Sequence, residues 1–244
     1  MTRVSSSARL VAAALVFCSF AGSLRADDGR RDDDTFLYFI GTDLWRQGGF
    51  SHGGLVWSPG GIDRDGFTLK LLLGTGSYRY VSGALGGEDV VGRQTTAFVM
   101  PGWRFVRDRT TVTLFAGLDA QRHRLFPDDP GNGLRGGHVG LRGAVELWHE
   151  PDAATMWAAD ASVSTVGPSY SARAAFGWRL FDAFYLGPEV GGFAGDDSYR
   201  QLRAGLHVTG AKFDFMEWWL AAGFARDSDH NDGLYARFGV LMRR

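Results

Sequence analysis

Lysine is almost missing from this chain. Only Lys70 and Lys212 occur in 244 residues, so nearly all of the positive charge is arginine. Arginine forms planar multi-donor networks and stacks on rings, which lysine does less well. The formal net charge is −1, which leaves no basic field of the kind that nucleic acid requires. Cys18 is the only cysteine and lies inside the N-terminal apolar run, so the chain beyond that run has neither disulfides nor thiol chemistry. Proline is scarce at 7 residues and glycine abundant at 35, a balance that suits tight turns and close backbone approaches rather than a disordered linker. Helical periodicity of useful length is absent after the N-terminal run. That run, Leu10 to Ala21, is about a dozen residues, too short to span a bilayer.

What is present at the N-terminus reads as an export signal. Arg3 and Arg9 precede the apolar stretch, and Ala26 or Ser23 offers a small residue for cleavage. Residues 1–26 are expected to be the signal peptide, 27–34 a charged lead, and 35–244 a single β domain. In that domain, strand-length blocks alternate with turn chemistry. Strands are expected near 35–45, 52–58, 66–80, 93–107, 110–124, 136–149, 154–166, 169–182, 184–194, 199–211, 215–226 and 233–242. The connections carry Ser58-Pro59-Gly60-Gly61, Gly86-Gly87, Asp128-Asp129-Pro130-Gly131-Asn132-Gly133, Gly167-Pro168 and Asp196-Asp197.

Several blocks exceed the usual soluble strand of about five or six residues. Phe67, Leu69, Leu71 and Leu73 share one face, with Thr68 and Lys70 on the other. Val139, Leu141, Val145 and Leu147 oppose His138, Arg142 and Glu146. Tyr170, Ala172, Ala174, Phe176 and Trp178 oppose Ser171, Arg173 and Arg179, and Leu202, Ala204, Leu206 and Val208 oppose Gln201, Arg203 and His207. Charges of both signs in mid-strand, where a sandwich would place its core, predict an all-β antiparallel outer-membrane-type β-barrel of about twelve strands, with lipid outside and a polar lumen. The alternative is a soluble periplasmic β-sandwich or barrel with solvent on the charged face. Aromatic residues near strand ends (Phe36, Tyr38, Trp45, Tyr78, Tyr80, Trp148, Tyr170, Trp218 and Trp219) fit interfacial girdles. Together with the signal and the lack of cysteine, this pattern points to a Gram-negative outer membrane.

Longer runs carry a family resemblance. Asp43-Leu44-Trp45, His52-Gly53-Gly54-Leu55-Val56-Trp57-Ser58-Pro59-Gly60-Gly61, Pro101-Gly102-Trp103-Arg104-Phe105, Gly167-Pro168-Ser169-Tyr170-Ser171-Ala172-Arg173 and Tyr185-Leu186-Gly187-Pro188-Glu189-Val190 resemble the BcsS family of cellulose biosynthesis proteins. The resemblance covers essentially all of the chain after the signal. It implies an accessory role in making or exporting cellulose, and with it a cellulose chain and components of the cellulose synthase complex as partners beside outer-membrane lipid. It supplies no catalytic residue.

Three constellations bear on chemistry. Asp227 to Gly233 is acidic, but an EF-hand needs glycine at its sixth position and glutamate at its twelfth, and here those are Asp232 and Phe238. The loop reads as a solvated turn, and no metal or cofactor is expected. His138, Arg142, Glu146 and His149, with Asp160, Ser162 and Ser164 on the next strand, invite the alternative reading of an enzyme that modifies envelope lipid or glucan. Their parity sends most of them to the lumen and His149 the other way, and no G-x-S-x-G or zinc-type spacing accompanies them. The third is the lumen itself. Lys70, Asp119, Gln121, Arg142, Glu146, Asp160, Arg173, Arg179, Glu189 and Arg203 are candidate lumen and polysaccharide-contacting groups. Mutual ion pairing that plugs the lumen accounts for the same residues. The expectation is a non-enzymatic protein.

Overall fold

Twelve strands pair in chain order, each antiparallel to the next, and the sheet closes when the last strand pairs back onto the first. The computed structural model describes residues 34–195 and 199–244. The expected signal segment 1–26, residues 27–33 of the charged lead and the Asp196-Asp197 turn lie outside the described residues. The strands are β1 (Phe36–Trp45), β2 (Gly48–Trp57), β3 (Gly66–Ser82), β4 (Glu88–Arg107), β5 (Thr110–Phe126), β6 (Gly136–His149), β7 (Thr155–Ser164), β8 (Ser169–Leu180), β9 (Phe184–Ala194), β10 (Arg200–Phe213), β11 (Met216–Asp227) and β12 (Asp232–Arg243). Closure excludes the sandwich alternative and leaves no free edge along the barrel wall.

The expected strands are all present, and two begin earlier than their patterns suggest. β2 starts at Gly48 rather than near residue 52, because Gly48 and Gly49 pair with Tyr78 and Ser77 despite lacking side chains to mark a face. β4 starts at Glu88 rather than near residue 93, since Glu88 and Asp89 extend the ladder to Ser82 and Val81. β3, β4 and β5 have 17, 20 and 17 residues against 10 in β1 and β2, so one side of the barrel rises above the other. An even strand number puts both termini at one end, and the tall side rises at the end away from them.

The two-residue period sorts the wall as expected. Leu73, Leu118, Leu141, Val190 and Leu202 are exposed on the outside, while Lys70, Asp119, Arg142, Glu189 and Arg203 are buried on the inside. Pro101 and Pro188 sit mid-strand. The ladder from β4 to β5 skips Met100 and Pro101, and that from β9 to β8 skips Gly187 and Pro188, as the missing proline N–H requires. A bulge between Val208 and Ala211 shifts the register of β10 against β11.

The girdle expectation needs correction. Trp45, Tyr78, Tyr80 and Trp148 are buried in the lumen, and Trp219 packs against the inner cluster that contains Phe39 and Phe50. Strand parity turns them inward, Trp45 and Trp148 at the ends of their strands as much as Tyr78 and Tyr80 within β3. Trp103, Trp157, Tyr170, Trp178 and Trp218 are exposed on the outer wall instead. The inner aromatics form three fillings, one of them Trp148 and Tyr185 with Met156, Ala158 and Ala175. Trp45, Tyr78, Tyr80, Leu125, Phe193, Tyr199 and Tyr235 cluster toward the end away from the termini. Leu37, Phe39, Phe50, Ile62, Leu72, Phe98, Met100 and Phe115 cluster toward the terminal end.

Candidate functional site in the barrel lumen

Alternation alone places one side chain in two inside the barrel, and in this chain many of those are charged. A charge taken out of water is tolerated only when it is paired and hydrogen-bonded. Lys70, Arg104, Arg142, Arg173, Arg203 and Arg237 are all buried, and Asp43, Asp119, Glu146, Asp160, Glu189 and Glu217 are buried among them. The pairs reach across the lumen as well as along the wall. Lys70 on β3 meets Glu146 on β6, with its ammonium 4.8 Å from the Phe115 ring centre. Both Asp43 oxygens on β1 accept from Nη1 of Arg203 on β10 at 2.8 Å.

Two carboxylates act as hubs. Glu189 Oε2 accepts from Arg173 Nη1 and Arg237 Nη2, each at 3.0 Å, and Oε1 accepts from the Tyr235 hydroxyl at 3.0 Å. Arg173 Nε also donates to Asp160 at 3.0 Å, so β7, β8, β9 and β12 are tied into one network. Asp119 is the other hub. Arg142 donates to its Oδ2 through Nε at 3.1 Å and Nη2 at 2.8 Å, and Ser164 and Gln121 donate as well. Arg142 lies 4.3 Å from the Phe98 ring centre and gives Nη1 to Ser162. From Gln121 the chain runs on: its amide accepts from His123 Nε2 at 3.1 Å, and Tyr78 O–H lies 2.9 Å from His123 Nδ1. Gln121 Oε1 has no proton to give, so this order makes His123 the Nε2–H tautomer.

Nine of the ten candidate lumen residues are therefore buried inside. Arg179 stands at the rim by the β8–β9 turn, where it donates to the Asp182 carbonyl at 3.2 Å and lies 5.9 Å from the Tyr185 ring centre. Asp43, Arg104, Arg237 and Gln94 belong to the lumen but were not among the candidates. The same alternation reveals them: Arg104 lies between outward Trp103 and Phe105, and Arg237 between outward Ala236 and Phe238.

Loops close both ends. At the terminal end the segment after β2 inserts Ile62, 1% exposed, whose carbonyl accepts from Arg104 Nη1 and whose N–H donates to the Asp34 carbonyl at 2.8 Å. Asp63 beside it pairs with Arg243 at 3.1 Å. At the opposite end the segment between β5 and β6 folds in, burying Asp129, Asn132 and Leu134. Tyr80 O–H donates to Asp129 at 2.9 Å, Asn132 Nδ2 donates to the Tyr80 oxygen at 2.9 Å, and Asp129 also accepts the Gly131 N–H. Burial works to raise the Asp129 carboxyl, but the hydrogen bonds from Ser82, Tyr80 and Gly131 outweigh it and hold it below its ordinary value. Outside this plug a cavity of about 700 Å³ opens at the lip, lined in part by Trp45, Tyr78, Tyr199, Asp227 and Asn231.

The enzyme constellation is split: Glu146, Asp160, Ser162 and Ser164 are neighbours on β6 and β7, but the histidines stand apart from them. His138 lies near the rim with Nε2 3.3 Å from the Arg135 carbonyl, and Glu146 is roughly 27 Å further along β6 at about 3.4 Å per residue. Glu146 is engaged by Lys70, Ser162 by Arg142 and Ser171, and Ser164 by Asp119; His149, on the opposite face, meets Thr110 at 2.8 Å. In the acidic loop, Asp227 accepts the N–H groups of Asp229 and Asn231, which is turn chemistry. Among the described residues no group of His, Cys, Asp and Glu is gathered to hold a metal ion.

The sequence model for "Cellulose biosynthesis protein BcsS" matches residues 37–244. No curated protein matches the chain. Among solved structures, the translocator domain of autotransporter NalP from Neisseria meningitidis is 11% identical, with 89% of this chain and 90% of that chain covered and a TM-score of 0.50. The KdgM porin is 8% identical over 84% of this chain and 98% of its own, with a TM-score of 0.46. The β domain of the Bordetella autotransporter BrkA is 15% identical over 86% and 99%, with a TM-score of 0.42. At these identities the likeness concerns the fold, that of an outer-membrane-type barrel.

Proposed function

The chain belongs to the BcsS family of cellulose biosynthesis proteins, and from that premise we propose that it serves cellulose production as a non-enzymatic barrel of the outer membrane, an anchor or scaffold rather than an open conduit. The observation that carries this reading is the filled lumen. Inward-facing charges neutralise one another, aromatic clusters occupy both halves, and Ile62 and the Asp129–Asn132 segment stop the two ends. A glucan in transit needs a continuous groove of hydroxyl-accepting groups and exposed ring faces, whereas here the rings are packed in clusters and most of the charged groups are paired. The apolar outer wall and the charged, apolar N-terminal segment support export to and insertion in the outer membrane.

Separation of His138 from Glu146 and Ser162 supports the absence of catalysis. The test is a deletion strain complemented in trans. Loss should lower cellulose yield or displace the polymer from the cell surface, and complementation with His138→Ala/Ser162→Ala should restore both. Unchanged cellulose amount and placement in the deletion strain would remove the proposed role. Failure of the double variant, with the folded barrel present in the outer membrane, would favour an enzyme.

A further inference from the structure

The lumen accounts for the inward half of the tall wall, but the outward half carries an arrangement that it does not explain. On the outer face of β3, β4 and β5 the register places residues in rows. Leu71, Val99 and Leu118 form one row and Leu73, Ala97 and Ala120 the next. Above them stand Thr75, Thr95 and Arg122, then Ser77, Arg93 and Arg124, then Arg79, Val91 and Phe126. Arg93 and Arg124 are directly opposed across the β4–β5 ladder, and Arg79 on β3 and Arg122 on β5 are the diagonal neighbours of Arg93. All four are exposed.

Like charges directly opposite on a sheet face repel, with side chains rooted only about 5 Å apart. None of these four arginines pairs with a described carboxylate. Asp89 stands one row higher, opposite Val81, and Asp128 is taken by Arg135. Arg93 lies over the Phe126 ring, 5.6 Å from its centre. An outward arginine is costly at the midplane of a bilayer and nearly free at its interface. The rows therefore run from apolar wall through hydroxyls to arginine, as the depth of a lipid runs from acyl chain to headgroup.

We infer that Arg79, Arg93, Arg122 and Arg124 form a binding site for a phosphorylated glycolipid of the outer leaflet. The acyl chains would lie along Leu71, Leu73, Val99, Leu118 and Ala120, and the sugar phosphates would enter the arginine cluster. Guanidinium groups bind phosphate through two parallel N–H bonds, and a ligand with more than one phosphate matches several converging forks. The inference rests on the outer-membrane placement proposed above. It adds an orientation: the end bearing the Asp129 plug faces outward, and the end with the termini faces the periplasm, from which an exported chain enters.

The test uses the folded full barrel in detergent, titrated with diphosphorylated lipid A and read by native mass spectrometry and lipid-protected thermal midpoint. The variant is Arg93→Gln/Arg122→Gln/Arg124→Gln, and Arg109→Gln, an exposed arginine of the opposite end, is the control. Wild type and control should bind diphosphorylated lipid A, and the triple variant should lose at least tenfold in affinity while keeping heat-modifiable migration. Dephosphorylated lipid A should bind the wild type as weakly as the triple variant binds the intact lipid. Equal binding of phosphatidylglycerol, or full competition by inorganic phosphate, would overturn the glycolipid assignment in favour of a general anion patch. Wild-type affinity in the triple variant would overturn the site. Fractionation of the same strains reports membrane placement separately, so a misplaced barrel is distinguishable from a barrel that does not bind.

Discussion

At the scale of single residues, the informative feature is that most buried charges meet a charge of opposite sign, whereas Arg104 gives Nη1 to the Ile62 carbonyl and leaves its Nε unbonded. Lys70 and Glu146 lie 76 positions apart in the chain and meet in the lumen with almost no exposure. Removing one partner leaves an uncompensated buried charge, at a cost of about 3–5 kcal/mol. Glu146→Gln and Lys70→Met should each lower the urea midpoint of the refolded barrel by an amount of that order, and Lys70→Met/Glu146→Leu should recover most of it. A double variant no more stable than the singles would mean that the pair is not coupled. Asp129 gives a second test, through pH. Its carboxyl is held below the ordinary value in the folded plug, so the associated stability is complete above the unfolded value of 3.8 and is lost as pH falls through the lower, folded value. Hydrogen exchange at the Gly131 and Leu134 amides, corrected for intrinsic rates, should show protection that is flat from pH 7 to about 4 and then collapses. Asp129→Asn should weaken that protection at pH 7 and abolish the acid transition. Alternation in the sequence was enough to send Lys70, Glu146 and Arg203 inside. It could not say that Lys70 would meet Glu146 or Arg203 Asp43, because those partners come from strands across the lumen.

At the scale of strands, the same period of two was legible almost everywhere, and it failed where glycine leaves no face to read. Gly48 and Gly49 hide the start of β2, and Tyr78 and Tyr80 do not join an outward girdle because closeness to a turn does not fix the face of the sheet. Tyr78 and Tyr80 share parity with Lys70 and Leu72, which already pointed inward. The tall wall also depends on glycine for packing. A Cβ on Gly92 would lie 2.2 Å from Cζ of the Tyr78 ring, so the ring fits only because β4 has no side chain there. Gly92→Ala should displace the ring, break the Tyr78–His123 hydrogen bond, and destabilise the barrel by about 1–3 kcal/mol, the usual cost of overpacking. The thermal midpoint in detergent measures it. Gly92→Ala/Tyr78→Phe should be no worse than Gly92→Ala alone if the ring has already left its bond, and clearly worse if it has not.

At the scale of the molecule, closure of the sheet gathers the inward charges of twelve strands where they can pair with one another. A twelve-stranded barrel is wide enough to hold a channel, so strand number alone does not decide between a pore and a plug; the inward side chains decide it. Here they are large and buried, and most are bonded to one another, with Arg173, Arg237 and Tyr235 converging on Glu189. Passage of ions requires either a gap in that filling or the simultaneous loss of several charge-assisted bonds. The purified barrel in planar bilayers should therefore show no sustained conductance at moderate voltage. Removing the two loop plugs separately tests where the seal lies. Replacing Ile62 with glycine, or shortening the segment between β5 and β6 across Asp128–Gly133, should still leave a closed barrel, because the central ion-pair network remains. Glu189→Ala removes the carboxylate shared by Arg173 and Arg237, leaving Asp160 on Arg173, and should open a noisy, anion-preferring leak, since the two guanidinium groups then face the lumen with one carboxylate fewer. A wild-type barrel with a steady open state would instead return the glucan-conduit reading to first place, and a loop variant that conducts while Glu189→Ala does not would move the seal from the network to the plug.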